Sequence, residues 1–297
     1  MFYILKYCLI YILFGTADSF SNYDKTVLEY SPVVYWSLDP QNPNDYSNHN
    51  LNGAFTNNPS NTTMPNGDIV CVFNGLDQYY TIEENDYLEI ARTGILTIVA
   101  WLRPDTLQFE HSEGSGYVWW MGKGETSRQS WAARMYNYQN QESRPNRISG
   151  YAFNASGGLG AGSYFQDTVI VGEWILYTLV INTVNVSNAY PTGYIKIFKN
   201  GIQRDQDALI SYNVVPTKGT APMRIGTRDQ QSFFKGAIGK VALFDYELNS
   251  SQLQNFYNCM KDTNKCSMTN NSRKVKHDYG TLIVILLSVC MNLGIIL

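Results

Sequence analysis

The middle of the chain, from residue 33 to residue 248, consists of short runs of β-branched and aromatic residues separated by glycine, asparagine and proline. Helical spacing of apolar residues is nearly absent from this stretch. About 220 residues is an ordinary length for one antiparallel sandwich of two sheets, so the pattern predicts an all-β domain. The expected strands are 33–38, 69–75, 78–82, 96–104, 117–122, 130–137, 147–154, 174–182, 194–201, 223–227 and 237–246.

Two local patterns add detail to this prediction. Asn200-Gly201 is a residue pair that reaches positive φ at both central positions of a tight hairpin turn, so we expect a hairpin there. In the run SWAARMYN, period-two alternation places Trp131, Ala133 and Met135 on one face, which we expect to be the core face.

One short C-terminal helix is expected after the last strand. Leu253, Phe256 and Tyr257 form an apolar stripe at helical spacing that can dock on the sandwich. Ser250 or Asn249 can cap the first turn, because both side chains accept hydrogen bonds from free backbone amides. The helix marks the end of the predicted domain.

An apolar segment opens the chain. Residues 1–14 carry one charge, Lys6, and have the composition of a secretory signal. Gly15 and Ala17 place small side chains at the cleavage positions, so we expect a signal peptide at 1–17 and an exported domain at 18–260. An uncleaved anchor or a buried helix is the alternative, although the run is short for a membrane span of about 20 residues.

A second apolar segment, 280–297, follows a polar stalk at 261–279. Small polar residues around Asn270, a basic spacer and this tail are the parts of a glycosylphosphatidylinositol (GPI) attachment signal. The alternative is a retained transmembrane helix, whose basic flank would then lie outside the cell, against the positive-inside bias. We therefore expect a GPI-anchored protein on the outer face of the plasma membrane, attached through Asn270.

Glycosylation sequons and cysteines agree with export. Asn-x-Ser/Thr acceptors occur at Asn61, Asn154, Asn185, Asn249 and Asn270. Any acceptor that is used must be exposed to solvent.

Three cysteines remain once both apolar ends are removed. Cys259 and Cys266 bracket a short polar loop and are expected to form a disulfide in an oxidising compartment. Cys71 lies in an apolar run and is expected to be a buried free thiol. Pairing of Cys71 with either of the other two is the open alternative.

Charge and histidine content exclude several classes of function. The formal net charge is −3, and no basic patch for nucleic acid is visible. Three histidines and no CxxC pair argue against a structural zinc site, and no Ser-His-Asp or Cys-His arrangement can be proposed.

The order of motifs resembles the laminin G-like, or concanavalin A-like, jelly-roll domains. The motifs are YWSLD, DYSNHNLNG, VFNGLDQYYTI, LTIVAWLRP, GEWILYTLVIN, YIKIFKNG, MRIGT and KGAIGKVALFDYEL, in that order. The last motif also resembles the pentraxin branch, although the pentraxin His-x-Cys-x-Ser/Thr-Trp signature is missing. The resemblance implies two antiparallel sheets, with a concave face or rim loops that bind glycans, proteins or calcium.

A calcium site is implied by the same resemblance. Family members often place an aspartate at the position of Asp45 near a second acid in the last long strand. That second position is Gly239 here, so the expected ligands are Asp45, Asn48 and loop carbonyls. The alternative is a polar turn without metal.

A catalytic alternative comes from Glu84, Asp86 and Glu89, which have the E-x-D-x-x-E spacing of laminarinase-type glycoside hydrolases. On a bulged strand these acids would share one face and supply a nucleophile and an acid/base. The segment lies where the laminin G-like pattern has a loop, so a solvated loop is the favoured interpretation.

An aromatic binding surface is the third candidate. Trp119 and Trp120 are adjacent in a strand and point to opposite faces, so at most one belongs to the core. The other can join Arg134 and Tyr136 in a ligand platform, to which the polar rim loop 137–147 can contribute. Aromatic residues also serve for packing, which is the competing interpretation.

The predicted function is therefore recognition of an extracellular glycan or protein by a membrane-tethered domain. The alternatives are a glycoside hydrolase using Glu84 and Glu89, or a surface coat protein that binds nothing.

Overall fold

The computed structural model describes residues 20–266, which contain fifteen strands and two helices. The helices are α1 (Asn22–Glu29) and α2 (Ser250–Lys261). In chain order the strands are β1 (Val34–Trp36), β2 (Ala54–Thr56), β3 (Ser60–Thr63), β4 (Ile69–Asn74), β5 (Tyr79–Ile82), β6 (Ile95–Pro104), β7 (Tyr117–Glu125), β8 (Arg128–Tyr136), β9 (Ile148–Asn154), β10 (Gly157–Phe165), β11 (Ile175–Asn182), β12 (Tyr194–Lys199), β13 (Ile202–Ala208), β14 (Met223–Ile225) and β15 (Lys235–Phe244). Each of the eleven predicted runs overlaps one of these strands. The predicted signal peptide, the apolar tail and Asn270 lie outside the described residues.

The strands form two antiparallel sheets, as predicted. The eight-stranded sheet has the order β13-β12-β11-β6-β15-β4-β3, with β1 also paired to β15. The seven-stranded sheet has the order β10-β9-β8-β7-β14-β5-β2. This architecture confirms the all-β jelly-roll sandwich.

The main core lies between the two sheets. It contains Trp36, Trp120 and Trp131, all without exposed surface, together with aliphatic residues of both inner faces. Ala133 and Met135 are in the same core, which confirms the face predicted for β8. Full burial of such large side chains makes this layer the dominant source of hydrophobic stabilisation.

Both helices cover the outer face of the eight-stranded sheet. Leu253 and Phe256 of α2 are buried against strand residues such as Trp101 and Phe198. Because both faces of this sheet are covered, all eight residues of β11 are buried. Asn249 caps α2 by accepting a hydrogen bond from the Gln252 amide at 3.0 Å, as one of the two predicted caps.

Helix α1 was not expected from the sequence. A capping box between Ser21 and Asp24 begins the helix. Asp24 then forms a buried ion pair of 2.7 Å with Lys240, a residue of β15 with φ of 54° at an irregularity of the strand. Lys240 also pairs with Asp68 at 2.7 Å, so one lysine ties α1 to the sheet.

Three further predictions, on the cysteines and on one hairpin turn, are confirmed. Cys259 and Cys266 form a disulfide, and Cys71 is a buried free thiol. Asn200 and Gly201 have φ of 56° and 77° and connect β12 to β13 in a hairpin. Neither helix of residues 20–266 is long and apolar enough to cross a membrane.

Candidate functional site

The outer face of the seven-stranded sheet carries an aromatic cluster that is separate from both helices. We call it the aromatic face, and it consists of rings from three neighbouring strands around the guanidinium of Arg134. The rings are Tyr117 and Trp119 of β7, Tyr136 of β8, and Tyr151 and Phe153 of β9.

Strand alternation places these residues on one face. Trp119 lies opposite Arg134 in the β7–β8 register, and Tyr117 lies opposite Tyr136. Residues two apart on a strand point the same way, so each of the three strands contributes more than one residue. Trp120 points to the opposite side and packs in the core against Tyr177, with ring centroids 4.8 Å apart. Trp120 is therefore the core residue of the pair, and Tyr136 also has no exposed surface, so neither of these two predicted ligand-binding residues can contact a ligand directly.

Arg134 is the centre of the aromatic face. Its Nη2 donates hydrogen bonds to the hydroxyl groups of Tyr136 and Tyr151, and its buried Nε has no hydrogen-bond partner. A guanidinium above the face of a ring is attracted by the ring's negative electrostatic potential. The guanidinium carbon lies 4.3 Å from the ring centroid of Tyr117, 4.4 Å from Tyr151, 4.6 Å from Tyr136 and 5.1 Å from Trp119.

Glycines of β10 make room for the outer rings. A Cβ atom at Gly162 would lie 2.5 Å from Cε1 of Tyr151, and one at Gly160 would lie 2.7 Å from Cε1 of Phe153. The rings of Tyr151 and Phe153 are stacked with an interplanar angle of 26°. The glycine-rich sequence of β10 thus serves the packing of the aromatic face.

Two more arginines border the aromatic face. Arg228 lies 4.4 Å above the Trp119 ring and is paired with Asp229. Arg147, at the end of the loop 137–147, lies 3.6 Å above the exposed ring of Tyr164, and its Nε has no hydrogen-bond partner. Trp119 is only 5% exposed, and its ring packs against the guanidinium groups of Arg134 and Arg228. Tyr117 and Tyr151 remain half-buried and reachable from solvent.

One carboxylate of the same loop reaches the aromatic face. Glu142 accepts a hydrogen bond from Ser115, pairs with Arg144, and lies 3.4 Å from the Tyr136 hydroxyl. The Ser115 hydrogen bond and the nearby arginines hold the pKa of Glu142 below its usual range, although partial burial opposes this. The surroundings therefore favour a negative charge at this position.

Other titratable groups of the site are shifted by burial. Burial raises the pKa of Tyr117 and of Tyr136, and the charge of Arg134 opposes both shifts. Burial also raises the pKa of Glu113, whose carboxylate accepts a 2.5 Å hydrogen bond from Ser232. Both tyrosine hydroxyls therefore stay protonated at neutral pH and can donate hydrogen bonds.

The structure brings Trp119, Arg134 and Tyr136 together as the sequence suggested. Sequence reasoning missed Tyr117, Tyr151 and Phe153, although their spacing of two from other outward residues was a usable signal. The sequence analysis named the loop 137–147 but did not identify Glu142, Arg144 and Arg147 within it. No sequence signal pointed to Arg228, which follows β14 in a turn.

The residues of the predicted calcium site do not fit a metal well. Both carboxylate oxygens of Asp45 already accept two hydrogen bonds each, from backbone amides and a hydroxyl of the chain: Tyr35 N at 2.9 Å, Ser47 N at 2.8 Å, Leu51 N at 3.0 Å and Ser47 Oγ at 2.7 Å. Asn48 is exposed. At Gly239, a Cβ would lie 2.2 Å from Val70 Cγ1, so no acid can replace it there. Within residues 20–266, no group of three His, Cys, Asp or Glu could hold a metal ion.

The three acids of the hydrolase alternative do not share a face. They lie around two 3₁₀ turns, Asp86–Leu88 and Ile90–Arg92, rather than on a bulged strand. Asp86 is exposed and pairs with Lys218 at 2.6 Å. Glu89 is buried and pairs with the fully buried Lys123 at 2.8 Å. Oε1 of Glu84 is buried without a hydrogen-bond partner.

The described sequons differ in accessibility. Asn61, Asn185 and Asn249 are exposed. Asn154 is half-buried. Its side-chain amide donates a hydrogen bond to Asn213 O at 3.4 Å and accepts one from Val215 N at 2.9 Å. Glycosylation at these residues stays a prediction.

Residues 74–254 match a laminin G-like family model, described as the concanavalin A-like lectin/glucanase superfamily. The chain belongs to this superfamily. The matched residues include the whole aromatic face, so the site lies within the family domain. A search of curated proteins found no match.

Solved structures with a similar fold include binding domains of botulinum neurotoxins and of a mosquitocidal protein. The botulinum neurotoxin serotype D ligand-binding domain in complex with N-acetylneuraminic acid has a TM-score of 0.56 and 13% identity, covering 77% of this chain and 51% of that chain. The binding domain of Paraclostridial Mosquitocidal Protein 1 has a TM-score of 0.59 and 12% identity, covering 78% of this chain and 52% of that chain. The binding domain of botulinum neurotoxin DC in complex with rat synaptotagmin II has a TM-score of 0.59 and 13% identity, covering 80% of this chain and 53% of that chain. The chain thus spans about half the length of these structures, and the likeness shows the fold.

Proposed function

We propose that this domain recognises an extracellular glycan by binding, without turnover, and that the aromatic face is its binding surface. The observation that carries the proposal is the set of half-buried tyrosine rings around Arg134 on a sheet face that neither helix occupies. Sugars bind proteins by laying their apolar C–H face on an aromatic ring, while nearby donors fix the hydroxyl groups. Tyr117 and Tyr151 supply the rings, and Arg134 and the tyrosine hydroxyls supply polar groups.

The botulinum neurotoxin binding domains support a binding role in a general way. Their titles name N-acetylneuraminic acid for one of them and synaptotagmin II for another. A superfamily fold hosts many functions, so the glycan proposal rests on the aromatic face of this chain.

The proposal extends to location. A signal peptide, a GPI anchor and N-linked glycans would display the domain on the outer face of the plasma membrane. The Cys259–Cys266 disulfide supports an oxidising compartment. Treating intact cells that express the full chain with phosphatidylinositol-specific phospholipase should release the protein. Retention would favour a transmembrane tail.

A glycan array probed with the glycosylated domain tests the binding function. Tyr151→Ala should weaken binding of any glycan by about tenfold, because it removes a stacking surface from the face. Tyr190→Ala is the matched control, since Tyr190 is also half-buried but contacts Tyr194 of the eight-stranded sheet.

Three outcomes would contradict the proposal. Equal losses in the two variants would place the ligand elsewhere. Binding to a surface protein but to no glycan would favour protein recognition. Cleavage of β-glucans by the unmodified domain, lost in Glu84→Gln/Glu89→Gln, would establish the hydrolase alternative.

A further inference from the structure

We infer that the glycan is acidic, and that its carboxylate or sulfate group takes the place of the Glu142 carboxylate on the aromatic face. This inference rests on the proposed function and names the class of its ligand. Three observations carry it: two arginines without an ion pair, a built site for an anion, and an exposed side chain that occupies that site.

The first observation is an imbalance of charge. Four arginines near this sheet face have carboxylate partners: Arg128 and Arg224 with Glu125, Arg144 with Glu142, and Arg228 with Asp229. Arg134 and Arg147 have no such ion pair among the described residues, and the Nε of each has no hydrogen-bond partner. A guanidinium group that is largely buried without an ion pair is unfavourable, so an anion bound beside these two groups would stabilise both.

The two unpaired guanidinium groups lie near one another. Both contact the ring of Tyr136, Arg134 at 4.6 Å and Arg147 at 5.5 Å from its centroid. Arg147 is only 8% exposed, so it is held in place by its surroundings. The Glu142 carboxylate lies 3.4 Å from the hydroxyl of the fully buried Tyr136 and interacts electrostatically with both arginines, so an anionic group that takes its place can interact with both as well.

The second observation is the set of groups around the Glu142 carboxylate. Hydroxyl groups of Ser115 and Tyr136 and the guanidinium of Arg144 surround it. Arg134 and Arg147 add favourable electrostatic interactions and contribute to the lowered pKa of Glu142. Hydroxyl donors combined with planar guanidinium groups are suited to a carboxylate or a sulfate.

The third observation is that Glu142 can leave this position. Its side chain is 32% exposed, and that of its partner Arg144 is 40% exposed, so their ion pair contributes little to stability. The loop backbone is held independently by Asn140, whose Oδ1 accepts hydrogen bonds from the amides of Glu142 and Arg144 at 3.1 and 2.9 Å. The Glu142 side chain can thus rotate into solvent while the loop stays in place.

The experiment measures binding of three probes to the glycosylated domain by calorimetry: a sialylated lactose, a sulfated heparin-derived tetrasaccharide and neutral lactose. The first two probes distinguish carboxylate from sulfate. Glu142→Ala should strengthen binding of an acidic probe by about threefold or more, because it removes a competing anion. Arg134→Gln and Arg147→Gln should each weaken the same binding by about tenfold, and each should weaken binding of neutral lactose by less than that.

Controls keep the test decisive. Arg204→Gln removes an exposed arginine of β13 that pairs with Asp167, and it should leave all affinities unchanged. Thermal unfolding shows whether the two arginine variants fold. If they do not, Glu142→Ala decides alone, since Glu142 is exposed.

The outcomes separate this inference from the proposed function. Two results would overturn the inference and leave the proposed function standing. In the first, glycans bind through the aromatic face with no preference for acidic probes. In the second, Glu142→Ala binds an acidic probe with unchanged or weaker affinity. Absence of binding to any glycan would overturn both.

Discussion

Replacing Lys123 with methionine tests how a buried ion pair stabilises the sandwich. Lys123 of β7 is fully buried, and its Nζ lies 2.8 Å from Glu89 Oε1 and 2.7 Å from the carbonyl oxygen of Ala221. Glu89 also accepts hydrogen bonds from Gly219 N at 2.8 Å and Ser130 Oγ at 3.1 Å. Methionine keeps the apolar volume of the lysine stem but leaves the buried Glu89 carboxylate without a counter-charge.

The expected loss is large. Removing one partner of a buried ion pair lowers the free energy of unfolding by about 3–5 kcal/mol, because the remaining charge stays desolvated. Urea unfolding of the disulfide-bonded domain, followed by tryptophan fluorescence, measures this quantity. Lys218→Met is the matched control. Lys218 pairs with Asp86 at 2.6 Å, but the two side chains are 60% and 64% exposed, so solvent screens the interaction and we expect no measurable change.

A double variant separates charge from packing. Lys123→Met/Glu89→Leu removes both charges and should recover at least half of the loss, although Ser130, Gly219 and Ala221 lose a partner. The reasoning is refuted if Lys123→Met unfolds like Lys218→Met. A double variant less stable than the single one would also refute it.

Three further predictions concern stability. Burial alone would raise the pKa of Glu247, but hydrogen bonds from Lys196, Tyr194 and Asn182 outweigh burial and lower it. A lowered pKa in the folded state stabilises the fold at pH values above the unfolded-state pKa of about 4.3, and this stabilisation is lost as the pH falls through the folded-state pKa. Glu247→Gln should therefore flatten the acid side of a curve of Tm against pH. Cys259→Ser/Cys266→Ser should lower the free energy of unfolding by about 2.5 kcal/mol, because the bond closes a short loop, and urea unfolding checks this. Asp45→Ala leaves four donors without their acceptor and should lower the unfolding free energy by about 2–4 kcal/mol equally with and without calcium, whereas a calcium site would make the loss depend on the ion.

The strands that could be predicted are those that bury apolar side chains. Strands such as β6 and β11 consist of long apolar runs because the core covers one face and the helices cover the other. The sequence of β8 alternates because one of its faces meets the core and the other the aromatic face. Burial leaves a pattern in the sequence, so these strands and their faces were visible.

The elements that were missed have little burial or an atypical composition. The residues of β3 are exposed or half-exposed, and β10 contains four glycines, which usually indicate a turn. The glycines of β10 are explained only by the rings of Tyr151 and Phe153, which belong to another strand. Helix α1 has a capping box, but its attachment depends on Lys240, more than 200 residues away in the sequence. Such contacts leave no local signal.

The aromatic face was likewise predictable only in part. Its rings lie on strands, where alternation relates each ring to the next, so the existence of an aromatic surface could be inferred from the sequence. Its charges lie largely on loops. The positions of Glu142 and Arg144 depend on the Asn140 hydrogen bonds, and that of Arg147 on the ring of Tyr164. A sequence of formal charges in a polar loop does not show which of them face each other. The imbalance that leaves Arg134 and Arg147 without a carboxylate is therefore visible only in three dimensions, and the acidic class of ligand follows from it.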